Sequence, residues 1–262
     1  MNRRNCISRH GNCNRPAANF RKTSHSRQSH IVGYNTINVQ ANRLFGYGVQ
    51  FTEVSGLEEI PVKDIISVDV PKGANTIGDT ADQIWLYDTT AMDWKKFFYR
   101  TQRTTVYGWC DAAGNVLDET TTMKNGDGFF FKRASSADGK VTISGAIKAT
   151  DATPIALSAN RLHFVCNRWP IQLKVSDFAA MVDVPNGANT IGDTADQIWL
   201  YDTNTMEWKK YFYRTQRTTV YGWCDETGTV VTDADVIPVG CGFFFKRASS
   251  ADGNLSFVKP TL

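Results

Sequence analysis

Side-chain chemistry needs titratable or nucleophilic groups within reach of one another, and this chain of 262 residues offers few. Of its four histidines, His10, His25 and His30 fall in the first thirty residues, and His163 stands alone in the body of the sequence. Cys6, His10 and Cys13 have the residue types of a zinc site. They lack the CxxC-type knuckle of structural zinc, and nothing in the surrounding sequence reads as ordered, so no metal is expected there. Since His163 has no counterpart in the other copy of the repeat described below, no Ser-His-Asp or Cys-His set can be common to both copies, and no Gly-rich phosphate loop or HExxH motif appears. The expectation is therefore a protein that is not an enzyme and uses no cofactor.

Two other groups of residues invite a functional reading. Asp79, Asp82 and Asp88, recurring as Asp193, Asp196 and Asp202, put carboxylates into a Gly-Asp-Thr-Ala-Asp loop. Calcium takes such oxygens, but the D-x-D-x-D-G spacing of a calcium loop is missing, and turn-making through local backbone hydrogen bonds is the expected role. The aromatic residues Trp85, Tyr87, Trp94, Tyr99, Tyr107 and Trp109 suit either stacking on sugar rings or filling a core between sheets about 10 Å apart. Core packing is expected for most of them. Trp94 and Trp208, beside Lys-Lys and just after a turn, are expected to be exposed. The segment Tyr-Arg-Thr-Gln-Arg-Thr-Thr is identical at 99–105 and 213–219, whereas residues 112–127 and 226–241 differ widely. Two tempos within one unit are what selection on a used surface leaves. Arg100, Arg103, Arg214 and Arg217 are accordingly expected to touch a partner, a neighbouring subunit or a glycan.

The elements that would position these groups come in two copies. Gly73–Thr89 and Gly187–Thr203 share all seventeen residues at an offset of 114, and the register holds from Pro71/Pro185 to Gly139/Gly253. Upstream, Ala-Asn-Arg-Leu at 41–44 recurs at 159–162 at an offset of 118, so the second copy is about four residues shorter in between. Alternation predicts strands at 34–40, 44–51, 62–70 (175–184 in the second copy), 83–88, 94–101, 104–111, 128–133 and 141–147, separated by Gly, Asn, Asp and Thr. Gln83–Asp88 is apolar on both faces and should be central. The fold class expected is all-β: two tandem, homologous, sandwich-like or barrel-like modules at 31–150 and 151–262, joined by a short polar linker at 148–154 and preceded by a disordered basic tail, 1–30.

Charge and cysteine usage narrow the partners. The formal net charge is +3, yet residues 1–30 hold seven basic and no acidic side chains, while the remainder carries 22 basic and 26 acidic ones. Attraction to nucleic acid therefore belongs to the tail alone, as in capsid-like proteins whose arm neutralises phosphate. No membrane span is expected, and the basic start is not followed by the apolar run of a signal peptide. Cys110 and Cys224 are repeat equivalents, but Cys241 corresponds to Asp127 and Cys166 has no counterpart. Free buried thiols are expected, with a Cys224–Cys241 bridge as the best exception.

The motifs ADQIWLYD, WKKFFYRT, YGWCD and GFFFKR resemble the repeated β-rich modules of secreted or cell-surface bacterial proteins. The resemblance covers both modules and not the tail. It implies a structural or adhesive role at the cell surface or outside it, with self-association or neighbouring surface proteins as partners. Carbohydrate binding through exposed Trp, Tyr and Arg is the leading alternative.

Overall fold

The computed structural model describes residues 32–148, 150–216 and 218–260. The expectations for the tail 1–30 and for Arg217 lie outside the described residues. The described chain is all-β, with helix confined to Val62–Ile65, Phe178–Met181 and a 3₁₀ turn at Val175–Asp177.

Gln83–Asp88 presents Ile84 and Leu86 on one face and Trp85 and Tyr87 on the other, so neither face can be left to water. It occupies the middle of a five-stranded sheet ordered Leu44–Gly48, Gly128–Lys132, Gln83–Asp88, Asp93–Gln102, Thr105–Cys110. Every neighbouring pair is antiparallel. The second half repeats the order with Arg161–Cys166, Gly242–Arg247, Gln197–Asp202, Glu207–Gln216 and Thr219–Cys224. Registers correspond as well: Ile84 lies opposite Phe97 and Phe131, and Ile198 opposite Tyr211 and Phe245.

One face of each large sheet closes a core. In the first half Ile84, Phe129, Phe131 and Trp109 pack with Val141 and Ile143. The last two belong to Gly139–Ala146, which pairs with Val32–Val39 and with Ile66–Val68. In the second half Ile198, Phe243, Phe245 and Trp223 pack with Phe178, Val182 and Leu255.

Two expectations are corrected here. The strands expected over 62–70 and 175–184 begin instead as helical turns, leaving only Ile66–Val68 extended in the first half. The reason is parity: Val62 and Ile65 are both buried, as are Val175, Phe178 and Met181. Residues three apart share a helix face but fall on opposite faces of a strand. Asp82 and Asp196, expected to make turns, are instead fully buried ion-pair partners of Arg133 and Arg247. Arg133 Nη1 donates to Asp82 Oδ2 at 2.8 Å and to the Val70 carbonyl at 2.9 Å. Lys72 N and Ala134 N fill the remaining carboxylate positions at 2.8 Å each. A buried charge is tolerated when paired and hydrogen-bonded in this way, and each pair ties the segment before the central strand to the segment after the Phe-rich one.

The halves meet edge to edge at glycines. Gly48 N donates to the Gly240 carbonyl at 3.0 Å, and Cys166 N to the Gly126 carbonyl at 2.8 Å. A Cβ added at Gly48 would collide with the Cys166 side chain, and one at Gly242 with the Tyr47 carbonyl. Cys166 and Cys241 sit at this seam, and all four described thiols are free. The Cys224–Cys241 bridge is not formed, because Cys224 ends the edge strand Thr219–Cys224 while Cys241 bridges Tyr47 of the first half.

Gly48 and Cys166 occupy corresponding positions in the two halves, so exchanging them should be tolerated where a single change is not. We expect Gly48→Ala to cost roughly 1–3 kcal/mol by overpacking. The double variant Gly48→Ala/Cys166→Gly should recover most of it, read as a coupling term from urea unfolding.

Candidate functional site

The outer faces of the two large sheets are turned toward each other and partly buried. Trp85, Tyr87, Trp94 and Phe130 from the first half face Phe164, Trp199, Tyr201, Trp208 and Phe244 from the second, and the rings form one layer. Phe130 stacks on Phe164 with centroids 4.8 Å apart, and Phe164 lies 4.7 Å from Phe244. The contacts run in reciprocal pairs. Tyr87 meets Phe244 edge-on at 4.9 Å, as Tyr201 meets Phe130 at 5.5 Å. Trp94 lies 5.8 Å from Phe244, and Trp208 lies 6.0 Å from Phe130. Edge-to-face pairs at these spacings add about 0.5–1.5 kcal/mol each beyond the area they bury. Phe164 has no aromatic counterpart, since the corresponding first-half residue is Gly46, whose missing side chain leaves the ring its space.

This arrangement corrects the expectation for Trp94 and Trp208. They are half-buried between the sheets, because a strand position whose neighbours Trp85 and Tyr87 point the same way shares their need for cover. The Nε1 groups of Trp85 and Trp199 donate to Gln83 and Gln197 at 2.7 and 2.6 Å. Lys96 and Lys210 cover those rings from the solvent side at 4.2 and 4.5 Å.

The arginines are likewise used internally. Arg100 Nη1 donates to the Gly114 carbonyl at 3.2 Å and Nε to Asn75 at 3.4 Å, with the guanidinium 4.7 Å from the Tyr107 ring. Arg214 repeats the set with Gly228, Asn189 and Tyr221. The hairpin bearing them carries a bulge at Gly108 and Gly222, which have φ of +85° and +86°. Arg100 and Arg214 therefore pin two loops onto that hairpin, which gives these two arginines an internal role. Arg103 stands exposed at the hairpin tip with φ +54°; Arg217, its counterpart, lies outside the described residues.

No other cluster is poised for chemistry among the described residues. Burial pushes the Cys110, Cys166 and Cys224 thiols up and Cys241 to about 12, the reverse of an activated nucleophile. Among the described residues, no group of three His, Cys, Asp or Glu side chains is arranged to hold a metal. Asp79 and Asp193 pair with Lys132 and Lys246 at 2.8 Å, and Asp88 and Asp202 cap turns as expected. A recess of about 350 Å³ is lined by Tyr99, Tyr107 and Trp109 with Lys63 and Asp64. Family models, curated proteins and solved structures compared with the chain return no match.

The aromatic layer was open to inference from the sequence by one signal. In GlyPhePhePheLysArg, Phe129 and Phe131 point into the core, so Phe130 must point out and needs a cover of its own.

His163 occupies the place of Phe45 and accepts a hydrogen bond from Ser158 N at 3.0 Å, and burial pushes its pKa down. The unfolded chain takes up this proton near pH 6.5, which the folded chain resists until lower pH. Stability is thus full above that value and falls as pH drops below it. Unfolding free energies measured between pH 8 and 5.5 should decline less steeply in His163→Phe than in the native chain.

Proposed function

We propose that the chain is a non-enzymatic structural or adhesive protein of the cell surface or extracellular space, built by duplication of one all-β unit and working by association with itself or with neighbouring surface proteins. The observation that carries this reading is the destination of the aromatic residues. A carbohydrate-binding module presents Trp and Tyr faces to solvent, whereas here Trp94, Trp208, Tyr87 and Tyr201 are engaged with one another and with the Phe130, Phe164 and Phe244 rings. Arg100 and Arg214 of the repeated hairpin are engaged with their own loops. What the unit spends its distinctive residues on is rigidity. No helix among the described residues is long and apolar enough to cross a membrane, and the surface location rests on the motif resemblance.

Carbohydrate binding stands as the second reading, favoured by the recess at Tyr99, Tyr107 and Trp109, whose mixture of rings and charge suits a sugar.

Light scattering of the full chain alongside a broad glycan array separates the two. We expect a mass above that of a monomer and no glycan bound. Trp94→Ala and Trp208→Ala should each lower stability by about 3 kcal/mol. A monomer that binds a glycan and loses it on Tyr107→Ala would overturn the structural reading.

A further inference from the structure

The two halves flank a pair of crevices that correspond residue for residue. One lies against Ile37, Phe45, Gly46 and Tyr47 of the first half and Leu200 and Tyr201 of the second. The other lies against Ile155, His163, Phe164 and Val165 of the second half and Leu86 and Tyr87 of the first. Each residue of the first set has its counterpart in the second at the repeat offsets of 118 and 114. Substitution has driven the pair apart. Phe164 puts a ring where Gly46 has no side chain, and the second crevice holds about 210 Å³ against about 490 Å³ for the first. Sites for organic ligands run from about 300 to 1,000 Å³, so only the first of the pair is of ligand size.

The chemistry of the larger crevice selects a class of ligand. Its walls are rings and branched aliphatic chains, which favour an apolar body. A dry cavity of about 150 Å³ holds one benzene ring, so the larger crevice holds two or three. Its two charged residues are already committed: Asp202 accepts from the Asn204 and Thr205 backbone, and Lys209 pairs with Asp235 at 3.2 Å. An ionic ligand would find no free counter-charge there. The remaining rim offers the neutral amides of Asn38, Gln40 and Asn204. Tyr47 adds a hydroxyl that is buried with no hydrogen-bond partner among the described residues. Such a state costs about 1–3 kcal/mol. Val165, its counterpart in the smaller crevice, carries no such group.

We propose that this crevice binds an uncharged organic molecule whose apolar body is the size of two or three fused rings and which carries a hydrogen-bond acceptor for the Tyr47 hydroxyl. The site goes beyond the structural reading and does not depend on it, since an assembling chain and a monomer have the same seam. Both halves line the crevice, so a ligand held there stabilises the folded chain in proportion to its occupancy.

The test titrates the full chain with prodan, an uncharged naphthalene dye bearing a ketone, whose emission shifts to the blue when it leaves water. Saturable binding at one site per chain is expected. Val239→Trp, which sets a ring against the crevice from an exposed loop position, should weaken it at least about tenfold. Should that variant melt earlier than the native chain, Asn204→Trp, on an exposed turn that lines the same crevice, takes its place. Tyr47→Phe should weaken binding several-fold without lowering the melting temperature, because it removes an unpartnered hydroxyl. Thr89→Trp, in the smaller crevice, should bind as the native chain does. Absence of saturable binding, or binding that the tryptophan at 239 or 204 leaves undiminished, would overturn the site. Unchanged affinity in Tyr47→Phe would overturn the role of its hydroxyl.

Discussion

A strand that is apolar on both faces needs two covers, and Gln83–Asp88 and Gln197–Asp202 each have only one within their own half. Ile84 and Ile198 are covered by the cores beneath them. Trp85 and Tyr87, with Trp199 and Tyr201, are covered only because the two sheets are laid against each other. Much else in the fold answers to that constraint. Glycine at Gly46, Gly48, Gly128 and Gly242 lets backbones approach closely enough for the rings to meet. Phe164 fills the space that Gly46 leaves, and the flanking Lys96 and Lys210 close the layer toward water.

Within each half a second interaction gives the sheet its frame. The Asp82–Arg133 and Asp196–Arg247 pairs are fully buried, and in each the oxygens and donors are met by backbone from two segments. Removing one partner of such a pair costs about 3–5 kcal/mol because the other charge is stranded. These pairs hold the 70–82 and 184–196 segments against the ends of the Phe-rich strands, and so set the height of the central strand relative to its neighbours. Arg100 and Arg214 do the corresponding work at the far hairpin with exposed and half-buried donors, at lower energetic stakes.

The sequence makes some of this legible and hides the rest for physical reasons. Alternation around Trp85, Trp94 and Trp109 locates the strands, and the two-faced pattern at 83–88 places the central one. The same alternation misreads 62–65, where only the odd spacing of Val62 and Ile65 distinguishes a helical turn from a strand. The identity of 99–105 with 213–219 points to a used surface, and within it Arg100 and Arg214 also have an internal role, through a cation–π contact and two loop carbonyls, that the sequence alone does not reveal. Comparison between the copies draws attention to what they share. The residues that fit the halves together are the ones they do not share: Gly46 and Phe164, Gly48 and Cys166. A sequence repeat therefore reveals the unit and obscures the joint.

If the ring layer joins the halves as closely as its contacts indicate, neither half should unfold without the other. Differential scanning calorimetry of the full chain tests this directly. A single transition whose calorimetric and van't Hoff enthalpies agree is the expected result. Two separable transitions, each with about half of the total enthalpy, would contradict the account and return the chain to a pair of independent modules on a string.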